Sequence, residues 1–147
     1  MANTNAPKSG DVRALREDWV ARLSTLVDDV ELWAKQLDWA TRRVDKKMQD
    51  SEIGDYRVPV LLLQKETVRI LLEPIARSAP GAEGVVDLYL MPAYDDIASL
   101  YYCDAKWHLH YMFTGTPTVG TTRDAEAQLL TKESLESVLK EMKANAA

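Results

Sequence analysis

Residues 97–113 read Ile-Ala-Ser-Leu-Tyr-Tyr-Cys-Asp-Ala-Lys-Trp-His-Leu-His-Tyr-Met-Phe. Side chains of contrasting character alternate on either side of Asp104-Ala105, which is the pattern of two strands joined by a tight turn. With that turn, Tyr102 faces Trp107, Leu100 faces Leu109 and Ala98 faces Tyr111. Successive side chains of a strand point to opposite faces. One face therefore carries Ala98, Leu100, Tyr102, Trp107, Leu109, Tyr111 and Phe113, and it is expected to meet a helix. The other carries Ser99, Tyr101, Cys103, Lys106, His108, His110 and Met112.

The same period of two extends upstream to Tyr56. Val58–Leu63, Thr67–Leu72 and Val85–Met91 read as three further strands, with Pro59, Pro74 and Pro92 at or near their ends. In the third of these, Val86, Leu88 and Leu90 point one way, and Asp87, Tyr89 and Met91 the other. Between Val12 and Met48 the period is different. Apolar residues recur in steps of three or four at Val12, Leu15, Trp19, Leu23, Leu26, Val30, Trp33, Leu37, Ala40, Val44 and Met48. That is a helical stripe, with Ser9 or Asp11 as its cap and Arg42, Arg43, Lys46 and Lys47 suited to its carboxyl end. Thr131 is placed to cap a last helix with the stripe Leu135, Val138, Leu139 and Met142. The expected fold is α+β: a long N-terminal helix packed on an antiparallel meander of about five strands, followed by a short C-terminal helix. Residues 1–10 read as a flexible tail, 11–147 as a single domain, and 114–122 as loop.

The first helix poses a problem of length. A continuous helix over the stripe would span ~57 Å, whereas about five strands give a sheet only ~20–25 Å across. Either the helix breaks near Leu37-Asp38 or one end packs on another chain. On the second reading Trp33, Leu37 and Trp39 are interface residues, and the chain is a homo-oligomer or binds a protein partner.

Composition narrows the function classes. The chain has 147 residues, a net charge of −5 and one cysteine, Cys103. A sequence pI near 5.0 disfavours a general grip on nucleic acid. One cysteine excludes an intrachain disulfide framework. No apolar run approaches the ~20 residues of a membrane span, and no secretory leader is visible, so the reading is cytoplasmic. No catalytic residue, cofactor or metal is assigned.

Two constellations carry the alternatives to a non-catalytic binding or assembly module. The first is the polar sheet face. Arg69, Asp87, Tyr89, Tyr101, His108 and His110 form a candidate binding surface for a small molecule or for an enzyme's substrate. Arg69 and His110 are the expected partners of Asp87, whose charge interrupts an apolar strand. His108-x-His110 with Asp87 has the donor set of a His₂-carboxylate metal site, although two imidazoles on a hairpin specify no third ligand.

The second is Gly84-Val-Val-Asp87, followed 17 residues later by Asp104-Ala-Lys106. This resembles the core of the PD-(D/E)xK nuclease superfamily. The resemblance implies Asp87 and Asp104 as Mg²⁺ ligands and Lys106 as the residue that positions the attacking water. The alternation around Asp104-Ala105 instead makes these residues a turn. The layout of a long helix across a meander looks like the cystatin-like folds. The last hairpin is similar to the closing strands of the ketosteroid-isomerase and polyketide-cyclase-like group, but the likeness covers the hairpin alone and assigns no catalytic acid or base.

Overall fold

The computed structural model of the chain describes residues 9–111, 113 and 127–146. The elements are α1 (Ser9–Gln36), β1 (Ala40–Asp50), β2 (Gly54–Lys65), β3 (Val68–Ala76), β4 (Val85–Leu90), β5 (Asp95–Cys103), β6 (Lys106–Tyr111), β7 (Gln128–Leu129) and α2 (Lys132–Asn145). The seven strands form one antiparallel sheet in chain order. Both helices contribute to a core on one face of that sheet, where Leu23, Val30, Leu63, Ile70, Leu100, Leu109 and Val138 are fully enclosed. Among the described residues no helix lies over the other face. Neither helix is long and apolar enough to cross a membrane among the described residues.

The α+β meander between two helices is as expected, with two strands more than the sequence pattern suggests. β7 is a two-residue pairing of Gln128 and Leu129 with Leu109 and His108. β1 is the larger correction. Residues 40–50, read from the sequence as the end of the first helix, form an 11-residue strand antiparallel to β2. Apolar residues at Ala40, Val44 and Met48 are four apart, a spacing that suits one face of a helix and one face of a strand alike.

The backbone decides between them. The amide of Trp39 donates to the Ala34 carbonyl at 2.9 Å and that of Asp38 to the Lys35 carbonyl at 3.1 Å. Asp38 between them has φ 67°. This is a Schellman ending in which aspartate takes the left-handed position usually given to glycine. Lys65 Nζ donates to the Leu37 carbonyl at 2.9 Å and helps to close the helix end. The helix therefore breaks at Leu37-Asp38. At 28 residues it is ~42 Å long, and its enclosed residues run from Trp19 to Ala34. At its other end it starts at Ser9, so Ser9 and Gly10 belong to the helix rather than to a tail. The expectations for residues 1–8, for Met112 and for the 114–122 loop lie outside the described residues.

The basic residues of 42–47 also change role. Arg43 reaches back to α1, to Asp28 at 2.6 Å and Glu31 at 2.8 Å. The Arg43 hydrogen bond in turn holds the Glu31 carboxyl below its ordinary value. Lys46 pairs with Glu73 at 2.9 Å, and Lys47 with Asp55 at 3.5 Å. Charged side chains along a free edge such as β1 discourage further strand pairing.

Along β2 the enclosed residues change parity, from Tyr56 and Val58 to Leu61 and Leu63. Pairing to β3 covers only Leu61–Lys65. Below it, β1 and β2 run on as a two-stranded ribbon, where twist is largest. At the base of that ribbon Trp19 Nε1 donates to the Tyr56 hydroxyl at 2.8 Å inside the core.

The last hairpin has the register read from its alternation: Ala98 with Tyr111, Leu100 with Leu109, Tyr102 with Trp107 and Cys103 with Lys106. Asp104 and Ala105 have φ of 51° and 60°, the primed-turn geometry that matches strand twist. Thr131 caps α2. Its hydroxyl accepts from the Ser134 amide at 3.1 Å, and Ser134 Oγ accepts from the Thr131 amide at 2.8 Å, a reciprocal box. The stripe Leu135, Val138, Leu139 and Met142 is enclosed as expected.

Candidate functional site

The open face of the sheet carries the residues that the sequence singled out, and the strand register lines several of them up. Glu73, Asp87, Ser99 and His110 stand opposite one another across β3, β4, β5 and β6. One row further on, Tyr101 pairs with His108. Ser99 Oγ donates to Asp87 Oδ1 at 3.0 Å. The Tyr89 hydroxyl donates to Glu73 Oε1. Lys46 Nζ donates to the Pro74 carbonyl at 3.1 Å while pairing with Glu73.

The two facing carboxylates are held differently. Burial raises the Glu73 carboxyl, but the Tyr89 hydroxyl and the Lys46 ammonium outweigh it, so it lies below its ordinary value. Burial pushes Asp87 up, the Ser99 hydrogen bond opposes this, and the Glu73 charge adds to it, so it ends above its ordinary value. Tyr89 is 4% exposed. Its hydroxyl is pushed well up by burial and by the Glu73 carboxylate. The Tyr94 ring packs over it at 4.9 Å.

This is a polar network with its partners inside it, and it differs from the expected one. Ser99 replaces Arg69 and His110 as the partner of Asp87, because Ser99 stands between Asp87 and His110 and hydrogen-bonds to Asp87 first. Arg69 is exposed. It sits two rows from Asp87 along β3, beside Met91 and Pro92 at the end of the sheet. His108 Nε2 lies 3.3 Å from the Cys103 carbonyl. Among the described residues no three His, Cys, Asp or Glu side chains come together as a metal site. Asp104 lies in the hairpin turn and Asp87 in mid-strand, so the acid-x-Lys strand that the nuclease resemblance implies is not formed at Asp104-Ala-Lys106. The interface trio separates as well. Trp39 is 5% exposed and belongs to the core, while Trp33 and Leu37 pack partly buried against it.

A cleft among the described residues opens on the covered side. It lies between α1 and the β5–β6 hairpin and is bounded below by residues 129–131. Its volume is about 610 Å³, within the range of small-molecule sites. From α1 it receives Arg22, Thr25, Asp29 and Trp33, one polar stripe beside the apolar one. The hairpin contributes Tyr102, Lys106 and Trp107, with Leu26 and Leu130 as apolar floor.

Tyr102 and Trp107 pack edge to face at 5.1 Å. The Arg22 guanidinium lies 4.1 Å above the centre of the Tyr102 ring, and Arg22 Nη1 donates to the Glu83 carbonyl at 2.7 Å. Gly84 makes this wall possible. A Cβ there would come 2.6 Å from Trp19 Cζ3 and 3.4 Å from Trp107, so only glycine lets β4 approach both indoles.

Sequence reasoning assigned Tyr102 and Trp107 to the covered face, correctly, and overlooked that a face can be covered and still hold a cleft near its rim. The available signal was the run Asp18, Arg22, Thr25, Asp29 and Trp33 at steps of four, three, four and four. It is a second helical stripe, polar where a solvent face needs no tryptophan. Comparison of the chain with known protein families, with curated proteins and with solved structures finds no match.

Proposed function

We propose that this chain is a non-catalytic binding module of the cytoplasm whose ligand is a small molecule with an apolar, ring-bearing body, held in the cleft between α1 and the β5–β6 hairpin. The observation that carries the reading is the pairing of Trp33 from α1 with Trp107 from β6 in one concavity of about 610 Å³. Both indoles are half-buried rather than packed away. Aromatic walls supply large contact area at low conformational cost, and the few polar groups among them fix orientation. The open face supports binding less well, because its carboxylates already have partners in Ser99, Tyr89 and Lys46.

The test is a titration with naphthalenemethanol, a neutral arene, followed by the indole N–H resonances of the four tryptophans. Saturable shifts of Trp33 and Trp107, with Trp19 and Trp39 unmoved, are expected. Trp19 serves as the control because its N–H is bonded to Tyr56 inside the core. Shifts spread over all four indoles, or none at Trp33 and Trp107, would remove the cleft reading.

A second reading, self-association, is favoured by Val44 and Ile97, which stand 48% and 50% exposed. They lie on the open face, not on the α1 stripe. Light scattering at high micromolar concentration tests it, and the mass of a single chain removes it.

A further inference from the structure

We infer that the ligand of the cleft carries a carboxylate or similar planar oxyanion, which Arg22 receives while the apolar body lies between Trp33 and Trp107. The inference rests on the cleft reading and adds the polar half of the ligand.

Of the arginines that enter no ion pair among the described residues, Arg16, Arg22, Arg42, Arg57 and Arg69, Arg22 is the one that lines the cleft. Arg13, Arg43 and Arg77 are each spent on carboxylates, Glu17 for the first, Asp28 and Glu31 for the second, Asp50 and Glu52 for the third. Arg16 donates to the Ile53 carbonyl away from the cleft. Arg22 lines the cleft, is half-buried, and enters no ion pair among the described residues.

One of its donors is fixed on the Glu83 carbonyl, and its plane is held over the Tyr102 ring. A guanidinium has five N–H donors in a rigid fork matched to carboxylate and phosphate. Here the fork is anchored before any ligand arrives, so binding an oxyanion loses little side-chain entropy. Lys106, across the cleft on the hairpin, is exposed like Asp18 and Asp29, so the inference rests on Arg22.

Asp18 and Asp29 also line the cleft and would select a cation instead. Both are exposed and enter no side-chain hydrogen bond or ion pair among the described residues, so ordering them on a ligand costs side-chain entropy, whereas Arg22 is already held by the Glu83 carbonyl and the Tyr102 ring. The anion is therefore the favoured ligand charge.

Three probes of one shape decide the matter: naphthoate, naphthalenemethanol and naphthylmethylammonium, titrated against the intact chain and followed at the Trp33 and Trp107 indole signals. Naphthoate is expected to bind about 10-fold more tightly than the alcohol, the gain of a charge-assisted bidentate contact. Arg22→Gln should abolish that gap, so that acid and alcohol bind the variant equally. Arg22→Lys, which keeps the charge without the fork, should retain only part of it. Equal binding of acid and alcohol, or tightest binding of the ammonium, overturns the inference while the cleft reading stands. Failure of all three probes to move Trp33 and Trp107 removes both. The comparison on the unaltered chain needs no variant to fold.

Discussion

The two faces of β4, β5 and β6 are built from neighbouring residues and live in different solvents. Leu88, Ala98, Leu100 and Leu109 point under the helices and are enclosed. Asp87, Ser99 and His110, each next in sequence to one of them, point the other way and remain partly exposed. On the covered face the apolar contacts are interchangeable in kind, and closeness of packing decides stability. On the open face stability depends on which polar atom meets which, because a half-buried carboxylate without a partner is costly. Glu73 and Asp87 show the outcome: directly opposed, one is held below its ordinary pKa by Tyr89 and Lys46, and the other is driven above it. The same strands thus support a tightly packed layer and an electrostatically mixed one, and the cleft opens where the packed layer meets its rim at Trp33, Tyr102 and Trp107.

The sharpest way to break this comparison is to cut one residue from each face of the same strand. Leu100→Ala should lower the unfolding free energy by about 2–5 kcal/mol, the cost of removing an enclosed leucine. Ile97→Ala on the open side should change it by less than about 0.5 kcal/mol, as for an exposed substitution. Urea denaturation measures both, and equal losses would mean that the open face is covered in solution.

Gly84→Ala probes the rim between the two regimes. The added methyl must displace the Trp19 ring or the strand, and overpacking of this kind typically costs about 1–3 kcal/mol. Thermal unfolding reports the loss, and an unchanged melting temperature would show that Trp19 gives way freely.

Asp87→Asn has the smallest effect and the opposite sign. A carboxyl whose folded pKa is raised contributes stability that is complete below its unfolded pKa and declines as pH rises through the folded one. Asparagine keeps an acceptor for Ser99 Oγ and removes the buried charge facing Glu73. The variant should therefore match or exceed the parent's stability at neutral pH, and lose that advantage once acid protonates Asp87 in the parent. Melting temperatures measured from mildly acidic to neutral pH check this. A variant less stable than its parent at neutral pH would mean that the Asp87 charge has a favourable partner in solution.

Legibility in the sequence varied with the range of the interactions. The final hairpin could be read residue by residue because its register follows from side-chain alternation and a two-residue turn, both local. The cap and stripe of α2 could be read for the same reason: Thr131 and Ser134 satisfy each other within one helical turn. β1 could not. Its apolar spacing fits two periods, and the signal that ends α1 is an aspartate at φ 67° where a glycine would have announced the break. The alternation also gave the open face its members, Asp87, Tyr89, Tyr101, His108 and His110, but not their partners. Cross-strand neighbours depend on the order of strands, and Ser99 and Lys46 enter the network only through that order.

By itself, then, the sequence determined the class of the fold, the hairpin, the second helix and the two sets of side chains that a sheet must separate, since each of these is set by the geometry of a few consecutive residues. The tertiary structure alone decided where α1 stops, which carboxylate is held below its ordinary pKa and which is driven above it, and that Arg22, Trp33, Tyr102 and Trp107 line one cleft. Those four side chains come from a helix and a hairpin about seventy residues apart in sequence, and only the packing of that helix across the sheet brings them to one place.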